Sequence, residues 1–141
     1  MNKSGPVIII EDNKDDQEML ERVFKNLKYN NDIVFFVNAN SALEYLNNKD
    51  VNPFLILSDI NMPHINGIEL RSLVHTNEQL QLKCIPYLFF TVRSDMQSVV
   101  EAYSLSAQGY FIKPVTIDKL ENTIRKIMEY WEVCIAPSEY A

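Results

Sequence analysis

Short apolar runs alternate with longer segments of helical period along this chain. The runs are Val7 to Ile10, Ile33 to Val37, Phe54 to Leu57, Tyr87 to Phe90 and Tyr110 to Ile112. They are β-branched or aromatic and largely apolar at consecutive positions, which predicts strands of a parallel sheet covered on both faces. Between them, apolar residues recur at three- and four-residue steps, the spacing of one helix face. Met19, Leu20, Val23, Phe24 and Leu27 mark a first helix. Ala42, Leu43 and Leu46 mark a second, with Asn40 or Ser41 as its cap. A third spans about 68–74, and a fourth starts near Ser94 or Asp95 and carries Val99, Val100 and Tyr103. A fifth, capped by Thr116, carries Ile117, Leu120, Ile124, Ile127, Met128 and Trp131.

Strict alternation of strand and helix predicts an α/β fold: a doubly wound five-stranded parallel sheet with right-handed crossovers and five helices on its two faces. The 141 residues suit one domain with an ordinary core. With 47% hydrophobic and 23% charged residues the composition is globular, not disordered. A net charge of −6 argues against a general nucleic-acid binder, which would carry a basic patch. Cys84 and Cys134 fall in no paired motif, so neither a disulfide framework nor a zinc site is expected. No stretch approaches the roughly 20 apolar residues of a membrane helix, and Met1 to Pro6 is no signal sequence. A cytoplasmic protein is expected.

In an open parallel sheet, ligands bind beyond the carboxyl ends of the strands. Glu11 and Asp12 follow the first run, Ser58 and Asp59 the third, Thr91 the fourth, and Lys113-Pro114 the fifth. Each has a bland alternative: Asp12 and Asp59 as helix caps, Thr91 as a turn hydroxyl, Lys113 as a solvated charge. Four strand ends supplying complementary groups outweigh that alternative. Asp15 and Asp16 fit a helix's first turn and its dipole, and are left outside the site. His64 and His75 stand apart as loop and helix-surface residues. Clustered carboxylates raise one another's pKa unless a cation neutralises them, and hard oxygen donors without Cys or His favour Mg²⁺ or Mn²⁺. Three acids, a lysine, a hydroxyl and such an ion are the parts of phosphoryl transfer to a carboxylate.

Ile8-Ile9-Ile10-Glu11-Asp12-Asn13, Leu57-Ser58-Asp59-Ile60-Asn61-Met62-Pro63 with Gly67, Phe90-Thr91, and Gly109-Tyr110-Phe111-Ile112-Lys113-Pro114 together resemble the receiver domain of two-component response regulators, the CheY-like fold. The likeness spans about 7–130. It implies strand order 2-1-3-4-5 and a phosphoacceptor signalling protein, not a classical enzyme, that assists its own phosphorylation and dephosphorylation. It further implies that Asp59 takes a phosphoryl group from a histidine kinase or phosphotransfer protein. Asp12, Asp59 and the Asn61 backbone carbonyl would ligate the metal, and Glu11 would act through an intervening water. Lys113 would pair with the phosphoryl group, Thr91 would move toward it, and Tyr110 would be the aromatic switch. The Lys113-Pro114 bond would be cis. Three positions depart from the pattern. Glu11 replaces an Asp; Val92, in place of a small residue, either narrows access to Asp59 or is harmless; Arg93, with Asn61, would tune the lifetime of the signal.

The expected domain boundaries are 1–131 for the receiver and 132–141 for a short tail with no output domain. The tail is expected either to pack against the domain or to meet a dimer mate. Output would then be a contact with a protein target through the face of the fourth helix, fifth strand and fifth helix, with Tyr110 and Tyr103 as candidate anchors, a core position being the alternative for Tyr103. A second copy of the chain is a further candidate partner; nucleic acid and membrane are not. Three rival readings remain distinct. An aspartyl-nucleophile phosphatase places D-x-D-x-T/V on its first strand, whereas Asp59 follows the third and Asn61 replaces the second Asp. A flavodoxin-like electron carrier would need a phosphate loop after the first strand. A receiver-shaped binding module that is not phosphorylated would usually have lost the acids or the lysine, all retained here.

Overall fold

The computed structural model describes residues 1–140. The strands are β1 (Val7–Ile10), β2 (Ile33–Phe36), β3 (Leu55–Ser58), β4 (Tyr87–Thr91) and β5 (Gly109–Ile112). The helices are α1 (Lys14–Leu27), α2 (Ala39–Leu46), α3 (Gly67–Thr76), α4 (Glu78–Leu82), α5 (Met96–Ser104) and α6 (Ile117–Val133). A 3-10 turn, Pro137–Tyr140, ends the described chain. All strands are parallel, in the order β2-β1-β3-β4-β5.

Successive strand residues point to opposite faces, and both faces are buried, which is why the runs read as apolar throughout. Ile8, Ile10, Ile56, Tyr87 and Phe89 meet Leu46, Leu70, Val74 and Ala102 on one side, under α2, α3 and α5. Val7, Ile9, Leu55, Leu57, Leu88 and Phe90 meet Leu20, Val23, Leu120, Ile124 and Ile127 on the other, under α1 and α6. Each such Leu, Ile or Phe contributes roughly 1.5–3 kcal/mol by leaving water, so truncating Ile124 or Leu57 to Ala would cost about 2–5 kcal/mol.

Helix starts follow their caps. Asn13, Asn66, Asp95 and Thr116 each accept a backbone N–H from the first turn with their side chains, and Asn66 forms a capping box with Glu69. The second helix begins earlier than expected: its cap is Asn38, whose Oδ1 accepts from Ser41 N at 2.8 Å, not Asn40 or Ser41. A sixth helix, α4, was not foreseen, because five residues are too few to display a period. Asn77 closes α3 and opens α4, accepting from Leu80 N at 3.1 Å. Leu80 is buried, and the Lys83 ammonium donates to the carbonyls of Leu46, Asn48 and Val51 at 2.8–2.9 Å. The helices expected as fourth and fifth are therefore α5 and α6.

Two further details differ. No peptide bond among the described residues is cis, so Lys113-Pro114 is trans; trans is the intrinsically favoured X-Pro isomer by about 0.5–1 kcal/mol. Helix α6 runs on to Val133, past the expected boundary at 131. The tail then turns back on the N-terminal segment. Ala136 is fully buried, its N–H donates to Glu139, and Glu139 pairs with Lys3 at 3.3 Å. No helix among the described residues is long and apolar enough to cross a membrane.

Candidate phosphoacceptor site

Strand register assembles the site. Ile10 at the end of β1 lies level with Ser58 at the end of β3, and Asp59 N donates to Ile10 O at 3.0 Å. Glu11-Asp12 and Asp59 therefore leave the sheet side by side. Across β4, Thr91 lies level with Ile112, and Lys113 N donates to Thr91 O at 2.9 Å. The lysine is thus delivered to the same edge from the opposite end of the chain.

Carboxylate oxygens of Glu11, Asp12 and Asp59 all lie within 4.8 Å of one another. Glu11 and Asp59 are buried, while Asp12 faces solvent. Lys113 Nζ donates to Glu11 Oε1, to Asp59 Oδ2 at 3.1 Å and to Asp16 Oδ2 at 3.0 Å. The second oxygen of Asp59, Oδ1, accepts from Ile60 N at 2.7 Å, and Glu11 Oε2 accepts from Asn13 N at 3.2 Å. Thr91 is fully buried and its Oγ1 accepts from Arg93 N at 3.2 Å. Gly67 belongs to the site by exclusion: a Cβ there would lie 1.9 Å from the Asp59 carbonyl oxygen, so only glycine lets α3 start against the β3–α3 loop.

Charge is unbalanced in this cluster. Burial pushes the Glu11 carboxyl up to about 7, with the Asp59 charge adding to the effect and the Lys113 hydrogen bond opposing it. Burial also works against the Lys113 ammonium, but its hydrogen bonds to Glu11 and Asp16 and the nearby carboxylates hold its pKa above the ordinary lysine value. One ammonium does not neutralise three closely set carboxylates. A hard divalent cation fits: the donors are all oxygens, one from each acid, converging from two strand ends.

Asp16 is the residue that sequence reasoning set aside. It does occupy the first turn of α1, yet its carboxylate also reaches Lys113. Asn61, in the β3–α3 loop, is exposed, and its side-chain oxygen lies 3.4 Å from Arg93 Nη1. Arg93 also pairs with Asp95 at 3.1 Å. Tyr110 is half-buried, with its ring 5.9 Å from that of Phe89 and its hydroxyl donating to the Arg93 carbonyl. Val92 is exposed. Tyr103 is also exposed, on α5, and so is not a core residue. Beside Asp12 opens a cleft of about 550 Å³, whose wall includes Asn38, Ser41, Pro63 and His64. His64 holds the left-handed backbone conformation, φ 67°.

A five-stranded parallel sheet in this order, with an acidic cluster and a lysine at its carboxyl edge, defines a receiver. The profile of the response regulator receiver domain family matches residues 7–125, and the chain belongs to that family. It is 28% identical over 129 residues to the probable methanogenesis regulatory protein FilR2 of Methanothrix harundinacea, covering 89% of this chain and 82% of that protein. It is 27% identical to the chemotaxis protein CheY-3 of Vibrio cholerae, covering 92% and 95% respectively. The fold matches that of the phosphorylated cyanobacterial phytochrome response regulator RcpA with a TM-score of 0.84, at 23% identity over 94% of this chain and 98% of that one.

Proposed function

We propose that the chain is a phosphoacceptor of a two-component system, with Asp59 as the acceptor. The observation that carries this reading is the meeting of Glu11, Asp12 and Asp59 within 4.8 Å, with Lys113 Nζ 3.1 Å from Asp59 Oδ2. An Asp59 carboxylate oxygen attacks the phosphorus of a phosphohistidine on a histidine kinase or phosphotransfer protein. The new O–P bond forms as the N–P bond breaks, and the electron pair returns to the imidazole nitrogen, which takes up a proton. Asp12, Asp59 and the Asn61 carbonyl, with Glu11 behind, would hold Mg²⁺ or Mn²⁺, which would supply positive charge for the phosphoryl oxygens. Lys113 neutralises a further oxygen, and the Thr91 hydroxyl donates to another while still accepting from Arg93 N.

The phosphorylated state is read by a protein target on the face of α5, β5 and α6. Met96, Val100, Tyr103 and Ile112 stand exposed there, and Tyr110 links that face to Thr91 through Arg93. Arg93 and Asn61, in contact above the site, are placed to set the lifetime of the signal. The receiver unit takes in α6 to its end at Val133, and the tail from Cys134 folds back on it.

Incubation with acetyl phosphate and Mg²⁺ followed by intact-mass measurement tests the reading. One added phosphoryl group, absent in Asp59→Asn, is expected. An unmodified wild-type mass under all conditions would leave the chain a receiver-shaped binding module.

A further inference from the structure

Beneath the acceptor loop lies a buried polar pair that the reaction above does not use. Tyr87, at the start of β4, is fully buried, and its hydroxyl donates to Gly67 O at 3.3 Å. The Ser58 hydroxyl, which donates to the Asp59 carbonyl at 2.9 Å, also lies against the phenol. The Arg71 guanidinium, on α3, stands 5.3 Å from the centre of the Tyr87 ring. It is only 5% exposed, and its Nε and Nη2 donate to the carbonyls of Leu105 and Ser106 at 2.8 and 2.9 Å. Leu105 caps the C-terminal end of α5, and Ser106 follows it in the left-handed conformation, φ 60°.

A buried guanidinium costs free energy unless its charge and donors are answered. Here carbonyl dipoles and an aromatic face answer them, where a leucine would fill the space without that expense. Capping α5 explains the two carbonyl contacts. It does not explain why the same side chain is stacked on a tyrosine whose hydroxyl reaches Gly67, where α3 starts hard against the Asp59 carbonyl.

We propose that Arg71 and Tyr87 are a positioning pair that links the β3–α3 loop to the C-terminal turn of α5, separately from Thr91 and Tyr110. The link rests on the phosphoacceptor reading, since loading Asp59 is what displaces the loop. Displacement of the Asp59 and Gly67 carbonyls moves the Tyr87 hydroxyl, the stacked guanidinium follows, and the two carbonyls it holds shift with it. Helix α5 is then addressed at both ends: at its start through Thr91, Arg93 and Asp95, and at its finish through Arg71.

Amide NMR of the full chain, with and without Mg²⁺ plus beryllofluoride as the phosphoryl mimic, tests the pair. In the wild type the amides of Leu105, Ser106 and Ala107 are expected to shift together with those of Asp59, Thr91 and Tyr110. Tyr87→Phe removes only the hydroxyl and should at least halve the shifts at 105–107 while leaving those at Thr91 and Tyr110 intact. Arg71→Met should abolish them; if it does not fold, Tyr87→Phe decides. A purely structural pair would lower stability in both variants without changing the response. Shifts at 105–107 in Tyr87→Phe equal to wild type, or none in a wild type whose Asp59 amide responds, overturn the proposal. A wild type whose Asp59 amide does not respond overturns the phosphoacceptor reading, and the link falls with it.

Discussion

Ion binding at the acidic edge should release a proton near neutrality, and Glu11 is the residue that supplies it. In the ion-free protein its carboxyl is pushed up to about 7 from an ordinary 4.5, chiefly by burial. Lys113 stays charged throughout this range because its pKa is raised, not lowered. A cation competes with the Glu11 proton, so apparent affinity for Mg²⁺ rises with pH and levels off above 7. With a midpoint at about 7, Glu11 is roughly one-tenth ionised at pH 6 and nine-tenths at pH 8, so affinity is about tenfold weaker at pH 6. Calorimetric titration in buffers of different ionisation enthalpy measures both quantities: the affinity, and close to one proton released per ion at pH 6. The sign for stability follows from the same shift. A carboxyl whose folded pKa is raised stabilises fully below 4.5 and loses that contribution as pH climbs through 7, so the ion-free domain weakens across that window and Mg²⁺ restores it. Glu11→Gln should remove both dependences. Affinity unchanged between pH 6 and 8 in the wild type, or the same slope in Glu11→Gln, would refute the assignment.

Other substitutions probe single contacts. Gly67→Ala puts a methyl 1.9 Å from a backbone carbonyl that cannot swing away, so urea denaturation should show a loss of about 3 kcal/mol or more. His64→Gly relieves a left-handed backbone at an exposed loop position and should gain about 0.5–1 kcal/mol, read as a higher melting temperature. Lys83→Met leaves the carbonyls of Leu46, Asn48 and Val51 without their donor, and should lose about 1–3 kcal/mol in the same denaturation assay.

The strands were legible because β1, β3 and β4 are buried on both faces and the edge strands β2 and β5 are short apolar runs as well. The carboxyl edge was legible for a related reason: Glu11, Asp12, Asp59 and Lys113 follow closely on strand ends and Thr91 closes β4, so locating the strand located the side chain. Asp16 was not, since an acid in a first helical turn looks the same whether or not a lysine from the far end of the chain reaches it. Helix α4 was hidden by its length, and the Asn38 cap by the competing Asn40 and Ser41. The Arg71–Tyr87 contact left no trace either. Tyr87 reads as one more strand residue and Arg71 as one more polar helix residue, and only the packing of α3 against β4 brings them together.

The two halves of the acceptor edge lie 102 residues apart, Glu11 leaving the first strand and Lys113 the last. A nascent chain emerging from the ribosome therefore carries its acidic cluster long before the lysine that serves it. Four strands can be laid down, in any order of docking, without producing a competent acceptor. Under the phosphoacceptor role proposed above, a truncated or half-folded copy would carry Asp59 without the lysine that answers its phosphoryl group, and would be barred from the pool of signalling molecules as a false message.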